Sequence, residues 1–284
     1  MIKIGAVIVT YNPGKEIEIN LKAISKQCDE VLVIDNGSTF RLEELIDPIP
    51  SNVTIINLSS NTGIAHAFNI GVTLLSDDID WVATFDQDTY ILDNYFNNMI
   101  EQGKKINVET PHILVPSFNG LPQNEQYKSM GIREVVTAIS SGSLIRRDVF
   151  SLVGGFDDQL FIDYVDNEFY LRCQNNGVRL FEIIGIKLNH KLGDMEPHVL
   201  LGRRFHTSNH SPLRRYYVFR NRIFVYRKFA KHFPIWFLRD FLRNFTEILK
   251  ILIWENNKTQ KLYYISKGLL DGMKNKTGEY DRRG

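Results

Sequence analysis

The sequence is poor in cysteine and has no long uninterrupted apolar run. Among its 284 residues the only cysteines are Cys28 and Cys173, and they form no CxxC pair. A disulfide or zinc scaffold is not needed at this length, redox chemistry has no support, and we expect two reduced thiols in a cytoplasmic protein. The first residues also lack the long apolar segment and the small-residue cleavage site of a signal peptide, so we expect a buried first strand there.

Positive and negative charges nearly balance over the whole chain, but they are unevenly distributed. Residues 200–284 contain 19 Lys/Arg and 6 Asp/Glu, a net charge of +13, which leaves −12 for residues 1–199. This division indicates that the first part handles cations and that the basic part meets anionic surfaces or phosphates. A basic segment also permits weak nonspecific binding to nucleic acid. Because no nucleic-acid-binding motif accompanies it, we expect no nucleic-acid partner.

Short β-branched runs alternate with helical stretches through the first half of the chain. The predicted strands cover residues 4–10, 30–34, 53–58 and 81–85, and the predicted helices cover residues 16–26 and 65–75. This βαβ pattern predicts an α/β domain with a mostly parallel sheet. Residues 114–124 contain Pro116, Gly120 and Pro122, which predict a loop between two halves of that domain. After Pro212 the pattern changes to helices rich in aromatic and basic residues.

Polar residues follow three of the predicted strands. They are Tyr11-Asn12, Asp35-Asn36-Gly37-Ser38 and Asp86-Gln87-Asp88. Open α/β sheets bind ligands beyond the carboxyl ends of their strands, so we expect these segments to line one pocket. The carboxylates of Asp86 and Asp88 are suited to Mg²⁺ or Mn²⁺, which prefer oxygen ligands and leave positions for phosphate oxygens. Alone, such a pair is more typical of a solvated turn, but its position after a buried strand favours a metal site.

Four motifs occur in a characteristic order in residues 10–88. They are Thr10-Tyr11-Asn12, Asp35-Asn36-Gly37-Ser38, Asn61-Thr-Gly63-Ile-Ala-His-Ala-Phe-Asn69-Ile-Gly71 and Asp86-Gln87-Asp88. Together they resemble the donor half of inverting GT-A glycosyltransferases of the family 2 type, and in particular bacterial rhamnosyltransferases of surface-polysaccharide synthesis. The resemblance implies a GT-A domain over residues 1–200, with a donor half at 1–110 and an acceptor half at 111–200. Residues 201–284 would then form a basic, aromatic helical extension.

The same resemblance implies roles for the motif residues. It implies that Asp35 contacts the nucleotide, and that Asp86 and Asp88 bind a divalent metal and the diphosphate. The other residues expected to bind the donor are Thr10, Tyr11, Asn12, Asn36, Asn61, Gly63 and Gln87. For the segment Asn61–Asn69, a Gly-rich helix start that serves only packing is an open alternative.

The second half extends the resemblance through segments 141–145, 154–157 and 161–172. In relatives, an acidic motif a few residues before an arginine contains the catalytic base. Counting back from Arg172 gives Asp166, while Val165 stands where many relatives have glutamate. Asp163 is a second candidate. Inverting transfer needs such a carboxylate within hydrogen-bond reach of the acceptor hydroxyl. The alternative is a solvated helix start, where acidic residues are also favoured.

Two more residues receive roles from the resemblance. His190 lies where related enzymes present a histidine to the metal or the diphosphate, although a single histidine is also often structural. Arg220 lies in a segment that resembles a Tyr-Tyr-x-x-Arg-Asn element of the family, which implies paired hydrogen bonds to the diphosphate or to an acceptor phosphate. For Arg220 the alternative is a solvated basic helix face.

Residues 233–254 are strongly apolar but do not meet the criterion for a membrane span. The interrupting charged residues are Arg239, Asp240, Arg243, Glu247 and Lys250. We expect an amphipathic helix that lies in the headgroup region of an anionic membrane, or one that packs on its own domain or on a partner subunit. The expected location is cytoplasmic and peripheral, at the inner face of the cytoplasmic membrane, and a homo-oligomer stays open.

These expectations combine into a metal-dependent enzyme. It would transfer L-rhamnose from dTDP-L-rhamnose to a glycan or glycolipid acceptor, with Mg²⁺ or Mn²⁺ as cofactor. One alternative is the same chemistry with another nucleotide sugar, such as a hexose or galactofuranose donor. Others are a non-catalytic sugar-nucleotide-binding subunit of an assembly complex, and a nucleotidyltransferase with the same metal carboxylates. Fold alone does not decide among them.

Overall fold

The computed structural model of the chain consists of two compact units. It describes residues 2–106, 108–117, 131–190, 196–200 and 203–281. The first unit contains Met1–Asp158 and Val165–His190, and the second contains Gln159–Tyr164 and Lys191–Gly284. The division predicted at residue 200 falls inside the second unit, and the short segment Gln159–Tyr164 belongs to the second unit although it lies between parts of the first.

Within the described residues, the first unit is built on an eight-stranded sheet with the strand order β3-β2-β1-β4-β8-β6-β9-β7. The strands of the first unit are β1 Ile4–Thr10, β2 Glu30–Asp35, β3 Val53–Asn57, β4 Trp81–Asp86, β5 Thr89–Tyr90, β6 His112–Ser117, β7 Gly131–Glu134, β8 Ser143–Arg146, β9 Arg179–Lys187 and β10 Asn189–His190. In the large sheet, β8 and β7 run antiparallel to their neighbours and the other pairs are parallel. The predicted mixed, mostly parallel sheet is confirmed.

Helices cover the buried strands of this sheet. They are α1 Glu16–Ser25, α2 Ile64–Leu74, α3 Tyr95–Gly103, α4 Arg147–Val153 and α5 Val165–Asn175, with short 3-10 turns at Leu42–Glu44 and Asp158–Leu160. All of β1 is buried, as expected for a strand with both faces covered. A Cβ on Gly71 of α2 would lie 2.2 Å from Val7 Cγ1, so only glycine allows this close approach to β1. The strands and helices predicted in residues 4–86 are confirmed to within one residue at each end.

The loop predicted for residues 114–124 is wrong at its start. His112–Ser117 forms β6 between β8 and β9, and Leu114 and Val115 are fully buried. Pro116 is tolerated because it lies beyond the pairing of Ile113 and Leu114 with β8 and next to a shift of register against β9. The remaining residues, 118–124, lie outside the described part of the chain.

The second unit contains the predicted helical extension. Its elements are a hairpin of β11 Glu196–Leu200 and β12 Arg203–Thr207, followed by α6 Pro212–Phe229, α7 Pro234–Ile253 and α8 Lys258–Met273. Helix α6 begins with Ser211 as its N-cap, whose Oγ accepts a hydrogen bond of 3.2 Å from Arg214 N, and with Pro212 in the first turn. None of the helices in the described part of the chain combines the length and the apolar character needed to cross a membrane.

Buried polar contacts join α6 to α7. Arg222 Nε lies 3.2 Å from Asp240 Oδ2, and Arg222 Nη2 lies 3.1 Å from Glu247 Oε1. The hydroxyls of Tyr164 and Tyr226 donate to the same Asp240 oxygen over 2.6 Å and 2.8 Å. Burial raises the pKa of the Tyr164 hydroxyl, which keeps it protonated and a donor. The inner side of α7 is therefore polar.

We expect Asp240→Ala to destabilise the second unit strongly. The substitution removes one of the two carboxylates that compensate the buried Arg222 guanidinium, and leaves two tyrosine hydroxyls without their acceptor. Breaking a buried ion pair costs about 3–5 kcal/mol of the free energy of unfolding. Urea denaturation followed by circular dichroism measures this loss.

Arg243→Ala is the matched control, because Arg243 pairs with the same aspartate from a largely exposed position and should contribute about 1 kcal/mol or less. Equal losses in the two variants would contradict the prediction.

Candidate functional site

Three neighbouring strands of the first unit end at one edge of the sheet. Strand β1 pairs in parallel with β2 and β4, so that Thr10 lies opposite Asp35 and Val9 lies opposite Asp86. The polar segments after these strands are therefore side by side, as the sequence predicted. This edge is the carboxyl end of the parallel strands, where open α/β sheets bind their ligands.

The carboxylate of Asp35 organises the turn that follows β2. Its Oδ1 accepts hydrogen bonds from Thr10 Oγ1, at 3.0 Å, and from Ser38 Oγ, and its Oδ2 accepts one from Ser38 N at 3.0 Å. Gly37 has a φ of +83°, and a Cβ there would lie 2.5 Å from the backbone carbon of Ser60. The turn is thus fixed by internal contacts, and the nucleotide contact of Asp35 stays a prediction.

Asn36 connects the end of β2 to the start of α2. Its Nδ2 donates to Asn61 Oδ1 over 3.1 Å, and its Oδ1 accepts from Thr62 N at 2.9 Å. Asn61 Oδ1 also accepts from Gly63 N at 3.0 Å, and Gly63, with a φ of +90°, immediately precedes the helix. The structure therefore brings together Asn36, Asn61 and Gly63, three of the residues predicted to bind the nucleotide-sugar donor, in one hydrogen-bonded group.

Gln87 connects the turn after β4 to the turn after β1. Its Oε1 accepts a hydrogen bond of 2.7 Å from Tyr11 N, and its carbonyl oxygen accepts one of 2.9 Å from Asn20 Nδ2. Asn12, in the left-handed region with a φ of 45°, donates from its backbone N to Ser38 Oγ over 2.7 Å. The Tyr11 side chain is exposed and is free to stack on a planar group. Sequence reasoning missed Asn20, whose role depends on the packing of α1.

Asp86 and Asp88 provide half-buried carboxylates at the same edge. Strand β5, which starts one residue after Asp88, pairs with β10 so that Thr89 lies opposite His190. The backbone of His190 thus comes close to the acidic pair, while its side chain lies outside the described part of the structure. Among the described residues no group of three His, Cys, Asp or Glu side chains is placed to hold a metal. Two carboxylates nevertheless fit Mg²⁺ or Mn²⁺, which are often held by one or two carboxylates together with substrate phosphates.

Two buried serines connect this acidic pair to helix α5. Ser141 Oγ accepts from Asp86 N at 3.0 Å and lies 2.6 Å from Thr89 Oγ1. Two residues later, Ser143 Oγ accepts a hydrogen bond of 2.8 Å from the buried Tyr170 hydroxyl. Burial raises the pKa of Tyr170, so its hydroxyl remains the donor. The motif at 141–143 was recognised in the sequence only as part of the resemblance, because serine alone carries no distinguishing pattern.

The acidic residues at the start of α5 have different surroundings. Glu168 is fully buried, and Arg172 donates to its Oε2 over 2.8 Å and to the carbonyl oxygen of Gly155, also over 2.8 Å. Asp166 is half-buried in the first turn, where its Oδ1 accepts from Asn167 N at 2.8 Å. Glu168 therefore anchors the helix, and Asp166 is partly accessible to solvent.

Asp163 belongs to the second unit. Its oxygens accept hydrogen bonds of 3.1–3.2 Å from Nε and Nη2 of Arg214. Asp163 and its neighbours Phe161 and Tyr164 all have positive φ values, between 59° and 63°. Backbone strain of this kind persists only where surrounding contacts fix it and is often found at functional sites.

Asn221 and Arg220 supply those contacts. Asn221 Nδ2 donates to the carbonyl oxygens of Leu160, Ile162 and Asp163 over 2.7–2.9 Å. Arg220 is buried and donates to the carbonyl oxygens of Gly278 and Leu160 and to Asn221 Oδ1. These contacts give Arg220 a structural role, and the prediction that it binds the diphosphate stays untested.

Solved structures share the fold of the whole chain. GalNAc-T7, solved with UDP, GalNAc and Mn²⁺, superposes with a TM-score of 0.60 at 14% identity, over 97% of this chain and 56% of its own. TarS 1–349 of S. aureus, solved with UDP-GlcNAc, superposes with a TM-score of 0.51 at 16% identity, over 95% of this chain and 72% of its own. This chain thus spans little more than half the length of GalNAc-T7. At such low identity the similarity establishes the GT-A fold alone.

Sequence comparisons extend the match to the family. The dTDP-rhamnosyl transferase RfbF of Shigella flexneri is 32% identical over 293 aligned residues, which cover 96% of each chain. The profile of Glycosyl transferase family 2 matches residues 6–153, about half of the chain and most of the first unit. The chain therefore belongs to glycosyltransferase family 2.

Proposed function

We propose that this glycosyltransferase transfers L-rhamnose from dTDP-L-rhamnose, with inversion, to a lipid-linked or polysaccharide acceptor in cell-surface polysaccharide synthesis. The observation that carries the choice of donor is the similarity to the Shigella dTDP-rhamnosyl transferase, because it extends over 96% of both chains. The arrangement of the strand ends supports a nucleotide-sugar site independently of that relative. The acceptor class follows from the resemblance to enzymes of surface-polysaccharide synthesis.

The nucleotide lies over the ends of β1 and β2 in this proposal. The Tyr11 ring is exposed there, and Asp35 and the group formed by Asn36, Asn61 and Gly63 border the same edge. Both oxygens of Asp35 already accept internal hydrogen bonds, so the carboxylate acts on the nucleotide through one further contact or by fixing the turn. The rigid turns around this edge hold the polar groups in place before the donor binds.

The diphosphate lies at the end of β4, where Asp86 and Asp88 hold a divalent cation, with His190 as a proposed third ligand. When bound, Mg²⁺ or Mn²⁺ neutralises charge on the departing diphosphate. GalNAc-T7, which is similar in fold, was solved with UDP and Mn²⁺, which supports a divalent cation in this proposal. Hydrogen bonds from Asp86 N to Ser141 Oγ and from Asn20 Nδ2 to the Gln87 carbonyl oxygen fix the backbone of the acidic turn.

Asp166 is the catalytic base in this proposal. The acceptor oxygen attacks the anomeric carbon, the acceptor hydroxyl proton passes to the Asp166 carboxylate, and the bond to the diphosphate oxygen breaks on the opposite face, so that dTDP leaves with the electron pair. Asp163 is the less favoured candidate, because its oxygens are already held by Arg214. The Glu168–Arg172 pair keeps the start of α5 in place for this step.

The enzyme works in the cytoplasm, at the inner face of the membrane where a lipid-linked acceptor is held. The net charge of +13 over residues 200–284 supports contact with anionic lipids.

Release of nucleoside diphosphate from a panel of nucleotide sugars tests the donor and the metal. With Mn²⁺ or Mg²⁺ we expect turnover of dTDP-L-rhamnose and its loss with EDTA. Asp88→Ala removes one metal carboxylate and should lower kcat/KM by about 100-fold or more, since a metal contributes several kcal/mol. Asp77→Ala, at a fully exposed position of the same unit, is the matched control. Exclusive turnover of another sugar nucleotide would show that the proposed donor is wrong, and metal-independent turnover would remove the role of the acidic pair.

Asp166→Asn tests the base. A neutral amide cannot accept the acceptor proton, so we expect kcat to fall by about 10²–10⁴-fold while the calorimetric Kd for dTDP stays unchanged. Asp163→Asn keeps hydrogen-bond acceptance from Arg214 and should retain most of the activity. The opposite pattern, with Asp163→Asn inactive and Asp166→Asn active, would move the base to Asp163.

A further inference from the structure

Helix α7 has a polar network on its inward side, together with the buried Ile251, and most of its large apolar side chains on its outward side. The inward residues recur every three or four positions and include Asp240, Asn244 and Glu247, which contact Arg222 of α6. An ordinary surface helix has the reverse arrangement, with its apolar stripe on the core. The buried and exposed faces of α7 are thus the reverse of those of an ordinary surface helix.

The outward face of α7 is a continuous apolar stripe. Its members, spaced alternately three and four residues apart and 46% to 69% exposed, are Ile235, Leu238, Leu242, Phe245, Leu249 and Leu252. Phe241 and Ile253, also exposed, widen the stripe on its two sides. A helix of this length is about 30 Å long. Exposed apolar stripes of this extent mark interaction surfaces on soluble proteins.

The acidic residues of α7 lie on its inward side, and its exposed charged residues are basic. Both of its acidic residues, Asp240 and Glu247, form ion pairs with Arg222 on the inward side. The exposed charged residues are Arg239 and Arg243, and among the described residues of α7 no exposed one is acidic. The stripe is therefore bordered by cations alone.

Elsewhere in the second unit, acidic residues are also buried in internal pairs. Glu255 is buried between Arg215 and Lys261, at 2.7 Å and 2.9 Å, and Asp271 is buried and accepts from the Tyr216 hydroxyl at 3.0 Å. Most of the described acidic residues of this unit thus form internal pairs. Residues 200–284 have a net charge of +13, and these buried acidic groups are not available at the surface to offset it.

We propose that the outward face of α7 binds an anionic membrane, with the helix in the plane of the surface, its apolar stripe at the boundary between headgroups and acyl chains, and Arg239 and Arg243 among the headgroups. A helix that lies in the plane of the membrane binds anionic lipids in two ways: its apolar residues leave water, and its cations attract the lipid headgroups. The proposal deepens the proposed function, in which the acceptor is lipid-linked, and rests on it for its biological purpose.

A second copy of the chain is the competing occupant, and the charges decide against it. The spacing of the stripe would suit a helix–helix seam. However, neither helix has an exposed acidic side chain with which Arg239 and Arg243 of a second copy could pair, since Asp240, which Arg243 contacts at 3.5 Å, is buried. An anionic lipid surface supplies the missing negative charge.

Co-sedimentation of the full chain with vesicles tests the proposal. We expect binding to phosphatidylcholine vesicles that contain phosphatidylglycerol, weaker binding in high salt, and little binding to phosphatidylcholine alone. The double variant Leu242→Ser/Phe245→Ser should bind the anionic vesicles about tenfold or more weakly, because two apolar side chains no longer leave water. Arg239→Glu/Arg243→Glu should lose the preference for anionic lipid. Leu152→Ser, at an exposed leucine of α4 in the first unit, is the matched control and should bind as the wild type does.

Unchanged vesicle binding in the stripe variant would overturn the proposal. A second outcome would also overturn it: the wild-type chain binds no vesicles, and analytical ultracentrifugation shows a dimer that the stripe variant no longer forms. Circular dichroism verifies that each variant is folded. Hydrolysis of the donor in solution is measured separately, so that failure of the proposed function leaves vesicle binding intact and failure of this proposal leaves donor hydrolysis intact.

Discussion

The parallel pairing of β1 with β2 and β4 is the constraint on which the site depends. Because the three strands end together, Thr10, Asp35 and Asp86 meet at one edge although they are far apart in the sequence. The strands are buried, and a slip of one residue would turn every side chain to the opposite face of the sheet. The hydrophobic core thus fixes the positions of the polar turns, and those turns add only short-range hydrogen bonds such as Thr10 to Asp35.

The antiparallel strand β8 brings residues 141–143, in the proposed acceptor half, to the same edge. It runs opposite to β4, with Ser143 paired to Thr84, so the beginning of β8 lies where β4 ends. Ser141 and Ser143 can therefore contact the acidic turn on one side and Tyr170 of α5 on the other. A fully parallel sheet would place the same serines at the far edge. The mixed sheet is what connects Asp86 and Asp88, the proposed metal carboxylates, to the helix that contains the proposed base.

The sequence predicted β1 to β4, four of the eight described strands of the large sheet, and the polar segments at their ends, since apolar runs with polar ends are local signals. It failed at β6, where pairing with strands distant in sequence overrides the local effect of Pro116. It also gave no sign that Arg220 is buried, because arginine is ordinarily exposed and its acceptors, such as the carbonyl of Gly278, come from a remote segment. The two faces of α7 were readable, but which one turns inward depends on Arg222, which lies on another helix.

The interior of the second unit is costly for a protein that needs only stability. Buried ion pairs such as Arg222–Asp240 and Lys261–Glu255 lose solvation on folding, and apolar residues in their place are often at least as stabilising. Helix α7 does contain enough apolar residues for a core, yet it presents them to solvent. Stability alone does not account for this arrangement, since exchanging the two faces would bury more apolar surface and hydrate the charges. A requirement on the outward face accounts for it, because a helix whose apolar side must remain available for binding has only its polar side left for its own fold.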